Sequence, residues 1–256
     1  MSIKAKDENG KNTSDAVDFK LYSLSKFVRL ALDNNPNILE LLFVNDENIM
    51  FINDIGKNLL DLRYEFLSSN IKHRFLGYAF SQKHKMIIKL DNYEKLVGAM
   101  EFLEKCELRF MLDIQHHPLF NRKRDHISIG DMNVPATVTI KKARKMVADR
   151  LAKFGNRKEL VSKYGYDTKF ASNLIRLITE GLELLKTGNL VFPLKNVELL
   201  RDIRNGKYTM EEVLNMANEM EKELENVYDS AKLPEQPDRQ NIEQFVIDTH
   251  REYVNV

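Results

Sequence analysis

The chain has 256 residues, of which 43% are hydrophobic and 30% are charged, and its formal net charge is +1. This composition provides enough apolar side chains for an ordered core and excludes a chain that is disordered throughout. We find neither an apolar run long enough for a membrane span nor the apolar core of a signal peptide, so we expect a cytoplasmic protein. The single cysteine, Cys106, excludes an intramolecular disulfide and a zinc site built from cysteines.

The N-terminal part predicts one strand and then helical or buried segments. Residues 17–22 alternate apolar and polar side chains, which is typical of a strand. Ser23 is a good N-cap for a helix that we expect to end near Leu32. Pro36 disfavours helix at the residue before it, so Asn34–Asn37 is a turn or a helix start ahead of a buried apolar segment.

From Ile55 onward the apolar periodicity is almost wholly helical. Helices are predicted at about 55–66, 71–90, 93–110, 141–154, 167–185, 209–229 and 241–253. The segment 113–138 breaks this pattern and predicts a loop, with a short strand at Ala136–Ile140. A lone strand cannot form a sheet. The N-terminal strand therefore pairs with extended pieces near Ile49 and Val191, or its partner strands are absent from this chain.

The charge is distributed unevenly along the sequence. From Glu211 to Val256 there are 12 acidic and 4 basic residues, whereas the preceding 210 residues carry a net charge of +9. Within Lys141–Lys158 eight residues are basic, which indicates a surface for phosphates or nucleic acid, although a solvated helix face gives the same pattern. The candidate nucleic-acid-binding residues are Lys141, Lys142, Arg144, Lys145 and Arg150.

The common catalytic motifs are absent from the sequence. There is no Gly-x-Gly-x-x-Gly, no Walker loop, no Gly-x-Ser-x-Gly and no His-Glu-x-x-His. His116 and His117 lie near His126, but two adjacent histidines point in different directions in either regular structure, which disfavours a shared metal ion.

Four stretches, taken in order, are more informative. They are DFKLYSL at 18–24 leading to NPNILELLF at 35–43; FLSS at 66–69 with GYAFSQ at 77–82; YGYDTKFASNLIRL at 164–177; and LPEQPDR at 233–239. In this order the chain resembles a family of nucleotidyltransferases in the DNA polymerase β superfamily, with members associated with RNA repair and found in phages and bacteria. The resemblance covers nearly the whole chain, apart from an insertion around 92–145.

The resemblance implies an α+β fold, with a small, incomplete mixed β-sheet at the N-terminus and a large helical body. It places a remnant of the nucleotidyltransferase sheet domain at 1–53 and a helical domain at 54–256. It also implies a reaction in which a nucleoside triphosphate, bound with Mg²⁺, gives its nucleotidyl group to an acceptor, an RNA or DNA end. Asp18 matches the third of the carboxylates that hold the metal in this family.

The sequence departs from the family pattern ahead of Asp18. The Gly-Ser turn and the Asp-x-Asp pair belong upstream, and the 17 residues before Asp18 contain neither. We therefore expect the chain to lack the first strands of the sheet and to be inactive alone, because a single carboxylate cannot hold two metal ions. A separate chain that supplies the missing strands would be its partner.

The helical part is expected to carry the nucleotide-facing residues. Lys169, Asn173 and Arg176 share one side of a predicted helix, where a lysine and an arginine suit a triphosphate. Ser81 and Gln82 match the family on an earlier helix. The sequence thus predicts a nucleotidyltransferase-like protein, and the alternative is a non-catalytic module, derived from that fold, that binds nucleic acid or protein.

Overall fold

The computed structural model describes residues 2–3, 19–154, 160–161 and 163–254 and confirms the α+β class. The helices are α1 (Leu24–Leu32), α2 (Pro36–Leu42), α3 (Asp54–Asp61), α4 (Ile71–Lys105), α5 (Ile140–Ala152), α6 (Thr168–Thr187), α7 (Val197–Arg204), α8 (Met210–Tyr228) and α9 (Arg239–Val254). The strands are β1 (Ser2–Ile3), β2 (Phe19–Lys20), β3 (Asn121–Lys123), β4 (His126–Ile129) and β5 (Met132–Pro135). Within the described ranges, no helix has the length and apolar character needed to cross a membrane.

The N-terminal strand finds its partner close by in the sequence. β2 pairs antiparallel with β1, with Ser2 opposite Lys20 and Ile3 opposite Phe19. The expected pairing near Ile49 and Val191 is wrong, because β2 is paired with β1 and neither segment is a strand. The sequence predicts a mixed sheet, whereas every strand pair in the described part of the chain is antiparallel.

A second sheet lies where the sequence predicts a loop. β3, β4 and β5 form an antiparallel meander in that order. The expected strand at 136–140 is not formed; Thr139 makes an isolated bridge to Phe110 and caps α5. Strands of three or four residues are too short for their alternation to stand out, although the burial of β4 does alternate.

Helix α4 is longer than either helix predicted in this region. Its 35 residues run without a break through Asp91 and Asn92, where the sequence separates two helices. The Asp91 carboxylate accepts a hydrogen bond from Lys95 Nζ at 2.7 Å, one turn further on. Such an i to i+4 pair supports helix at the predicted boundary.

The chain divides into two compact units. Unit 1 comprises Met1–Leu76, Glu180–Lys195 and Glu223–Val256, and unit 2 comprises Gly77–Thr179 and Asn196–Lys222. This division differs from the predicted domains at 1–53 and 54–256, which stay a prediction.

Unit 1 joins two of the stretches that carry the family resemblance. The Ser69 amide donates to the carbonyl of Pro234 at 2.8 Å, and the Asp238 amide donates to the carbonyl of Glu65 at 2.9 Å. Gly181 packs against Phe75, and a Cβ added at Gly181 would lie 3.1 Å from the Phe75 Cβ. Glycine therefore permits this close approach of α6 to the start of α4.

Unit 2 contains a core formed by the second half of α4, the three-stranded sheet and α5. Its fully buried side chains run from Leu96 to Val147, and they are Leu96, Ala99, Leu103, Met111, Ile127, Ile129, Val134, Ala143 and Val147. Gly130, with a φ of 55°, forms the tight turn between β4 and β5, as the first central residue of a hairpin turn requires. A Cβ at Gly130 would lie 3.0 Å from the Asn92 carbonyl oxygen, so the turn packs closely on α4.

Candidate functional site

The GYDTK segment, at residues 165–169, leads into helix α6, which begins at Thr168. Gly165 adopts a left-handed φ of 79°. The Tyr166 hydroxyl donates to the carbonyl of Tyr208 at 2.6 Å, and burial raises the pKa of this phenol, with the charge of Glu212 acting in the same direction. The Asp167 carboxylate accepts from the amides of Lys169 at 3.1 Å and Phe170 at 3.3 Å, as an N-cap does. These contacts give the segment a structural role.

The predicted nucleotide-facing side of α6 lies beyond this cap. Lys169 is exposed, and Asn173 and Arg176 are half-buried. The residues expected to face the core, Leu174 and Ile178 among them, are fully buried, which confirms the orientation of the helix. Lys89 on α4 places its ammonium 4.7 Å from the ring centroid of Phe170, next to Lys169. Whether these residues bind a nucleotide stays a prediction.

Ser81 and Gln82 lie on α4, within unit 2, and both are half-buried. Their neighbour Lys83 donates to the Asn218 side-chain oxygen of α8 at 2.9 Å. The proposed contacts of Ser81 and Gln82 with a phosphate or base stay predictions.

The predicted metal ligand, Asp18, lies outside the described residues, which resume at Phe19. Magnesium requires several oxygen ligands in a near-octahedral arrangement. Among the residues that the structure describes, no group of three or more His, Cys, Asp or Glu could hold a metal ion.

Helix α5 carries the predicted nucleic-acid-binding residues. Thr139 caps its first turn by accepting from the Lys142 amide at 3.3 Å. Burial of Ile140, Ala143 and Val147 fixes which side of the helix faces the core. On the remaining surface Lys141, Lys142 and Lys145 are exposed, and Arg144 is half-buried.

Arg150, near the end of α5, differs from the three lysines because it is held in place. Its Nε donates to the Asp131 carboxylate at 3.1 Å, and its Nη2 contacts the second carboxylate oxygen. The guanidinium carbon also lies 4.7 Å from the ring centroid of Phe154. Asp131 reaches Arg150 because it is the second residue of the β4–β5 turn.

The fold gathers around Asp131 several basic groups that the sequence pattern does not predict. Lys95 and Lys123 line one cavity that Asp131 also lines, and Lys89 and Lys153 line a second one that it shares. They come from α4, β3 and the end of α5, so linear spacing does not bring them together. The run Arg122-Lys123-Arg124 and the Gly130-Asp131 turn are the signals that could have indicated them.

Comparison with known proteins supports the resemblance stated from the sequence. Residues 1–98 match the model of RlaP, an RNA repair pathway DNA polymerase beta family. This match confirms the resemblance for the N-terminal part of the chain. It includes Asp18, Ser81 and Gln82, and it ends before α5 and α6.

A phage protein is similar over a longer range. The chain is 24% identical over 245 residues to an uncharacterized 38.9 kDa protein of the nrdC–mobD intergenic region of Enterobacteria phage T4. The alignment covers 83% of this chain and 72% of the phage protein. No solved structure matches the chain.

Proposed function

We propose that this protein binds RNA through the exposed side of helix α5, in the context of RNA repair. The observation that carries the proposal is the solvent exposure of Lys141, Lys142 and Lys145 on a helix whose opposite side is fixed in the unit 2 core. Lysine ammonium groups attract the phosphate backbone without reading its sequence. RNA is favoured over DNA because the matching family is described by RNA repair.

The test measures the affinity for a single-stranded RNA at several salt concentrations. Each phosphate contact contributes about 0.7 to the slope of log affinity against log salt for single strands. Changing Lys141, Lys142 and Lys145 together to Gln should therefore lower that slope by about 2. The same three positions changed to Arg should keep it. An unchanged slope in the Gln variant would contradict the proposal.

A second candidate function is transfer of a nucleotidyl group from a nucleoside triphosphate to an RNA or DNA end. The family match over residues 1–98, which includes Asp18, favours it. In this reading Lys169, Asn173 and Arg176 hold the phosphates and Ser81 and Gln82 contact the nucleotide. The carboxylates that Asp18 would need as co-ligands of Mg²⁺ would come from outside the described residues, for instance from a separate chain.

This candidate is tested by incubating the purified 256-residue protein with a labelled nucleoside triphosphate, Mg²⁺ and an RNA acceptor. Transfer of label that is lost in Asp18→Asn would support it and would show that the chain is active alone. Triphosphate binding that weakens in Lys169→Ala and Arg176→Ala, without transfer, would support a nucleotide-binding protein that needs completion. If the protein neither transfers the label nor binds the triphosphate, RNA binding remains as its proposed function.

A further inference from the structure

Two adjoining cavities of unit 2 are both lined by Asp131, and together they are called the Asp131 groove. The larger has a volume of about 500 Å³ and is lined by Lys95 and Lys123 among others. The smaller has a volume of about 210 Å³ and is lined by Lys89, Arg150 and Lys153. The groove is therefore built by α4, the three-stranded sheet and the end of α5.

The charges that line the groove are strongly unbalanced. Five basic side chains line it, and Asp131 is its one acidic lining residue among those described. Asp131 is engaged with Arg150, and Lys95 is paired with Asp91 at 2.7 Å. Of the three remaining lysines, Lys123 and Lys153 are exposed, and Lys89, whose ammonium lies 4.7 Å from the Phe170 ring centroid, is half-buried. An excess of five basic residues over one acidic residue in the lining favours binding of an anion.

The arrangement of hydrogen-bond donors also suits a phosphoryl group. Asp131 fixes the plane of the Arg150 guanidinium by taking two of its five N–H donors, so three remain for a ligand. Lysine ammonium groups add point charges that can reach different oxygens of the same phosphate. Asn92, on α4, is a further polar residue that lines the smaller cavity.

We propose that the Asp131 groove is a binding site for a phosphoryl group, supplied by a free nucleotide or by the phosphorylated end of an RNA strand. Arg150 and the lysines at positions 89, 123 and 153 bind the phosphoryl oxygens, and Asp131 is the positioning residue for Arg150. The site is separate from the three exposed lysines of α5, so either can fail without the other.

The first experiment uses inorganic pyrophosphate as the probe and isothermal titration calorimetry of the full chain. The double variant Lys123→Gln, Lys153→Gln should bind pyrophosphate about 2- to 25-fold more weakly, because each exposed ion pair contributes about 1.4- to 5-fold in affinity. The matched control is Lys105→Gln, Lys222→Gln, which removes two exposed lysines of unit 2 outside the groove. Each single variant, Lys123→Gln and Lys153→Gln, is measured as well, in case the double variant does not fold.

The second experiment distinguishes the two sources of the phosphoryl group. If the ligand is an RNA end, the wild type should bind a 5′-phosphorylated RNA more tightly than the same RNA with a 5′-hydroxyl. The double variant Lys123→Gln, Lys153→Gln, called the groove variant, should lose this preference. If the ligand is a free nucleotide, the wild type should bind both RNAs equally. The groove variant should then have a lower affinity for pyrophosphate but an unchanged affinity for either RNA. Pyrophosphate binding that is absent from the wild type, or equal in the groove variant and the control, would overturn the proposal.

Discussion

At the scale of single residues, Asn34 shows how one polar side chain fixes the junction between two helices. It follows α1 with a left-handed φ of 49° and is fully buried. Its side-chain amide donates to the carbonyl of Phe66 at 2.6 Å, and its side-chain oxygen accepts from the Ser68 hydroxyl at 2.6 Å. Asparagine tolerates this backbone conformation better than most residues. The segment FLSS, which contributes to the family resemblance, is thus tied to the end of α1.

Replacing Asn34 by Ala should lower the free energy of unfolding by about 1–3 kcal/mol, because the buried carbonyl of Phe66 loses its donor. The matched control is Asn37→Ala, which changes an exposed asparagine in the first turn of α2. Urea unfolding of the two variants measures the difference. Equal destabilisation by both substitutions would show that the buried hydrogen bonds contribute nothing.

At the scale of elements, the start of α8 is a capping box that makes stability depend on pH. The Glu212 carboxylate accepts from the Thr209 amide at 2.7 Å, and the Glu212 amide donates to the Thr209 hydroxyl oxygen at 3.2 Å. Hydrogen bonds from the Thr209 backbone and side chain lower the pKa of Glu212 below its ordinary value of 4.5. A lowered pKa means that the carboxylate stabilises the fold above its unfolded pKa, and that this contribution is lost as the pH falls through the folded pKa.

The Glu212→Gln variant should therefore be less stable than the wild type at pH 6, and the difference should shrink as the pH falls towards 3. Urea unfolding at both pH values measures it. Glu211→Gln, which changes an exposed glutamate in the same first turn, is the control for loss of a charge near the helix N-terminus. A difference of the same size at both pH values would contradict the assigned pKa shift.

The helices with clear caps are the elements that the sequence predicts best. The cap Ser23 and the helix predicted at 209–229 are both indicated by residues close together in the sequence, and the structure confirms both. The β4–β5 hairpin is missed because its strands are four residues each and its turn packs closely on Asn92, which is distant in the sequence. The Asp131 groove is not predicted from the sequence for the same reason, because its basic groups come together only through tertiary packing.

At the scale of the whole molecule, the net charge of +1 is too small to attract a polynucleotide by itself. Any such attraction must come from the separation of charge along the chain, with an acidic segment after residue 210 and a basic body before it. At physiological ionic strength, exposed charges further apart than about 8 Å are largely screened from one another. The proposed RNA affinity should therefore depend on where a basic residue lies.

Two triple variants with the same net charge distinguish the effect of where a basic residue lies from the effect of the net charge. Changing Lys141, Lys142 and Lys145 to Gln takes the net charge from +1 to −2, and so does changing the exposed residues Lys57, Lys195 and Lys232 of unit 1. The first triple variant should lose RNA affinity and salt dependence, because it removes phosphate contacts, whereas the second should change both much less. Equal losses in the two variants at 150 mM salt would mean that net charge governs binding, and the assignment of the RNA surface to α5 would then be wrong.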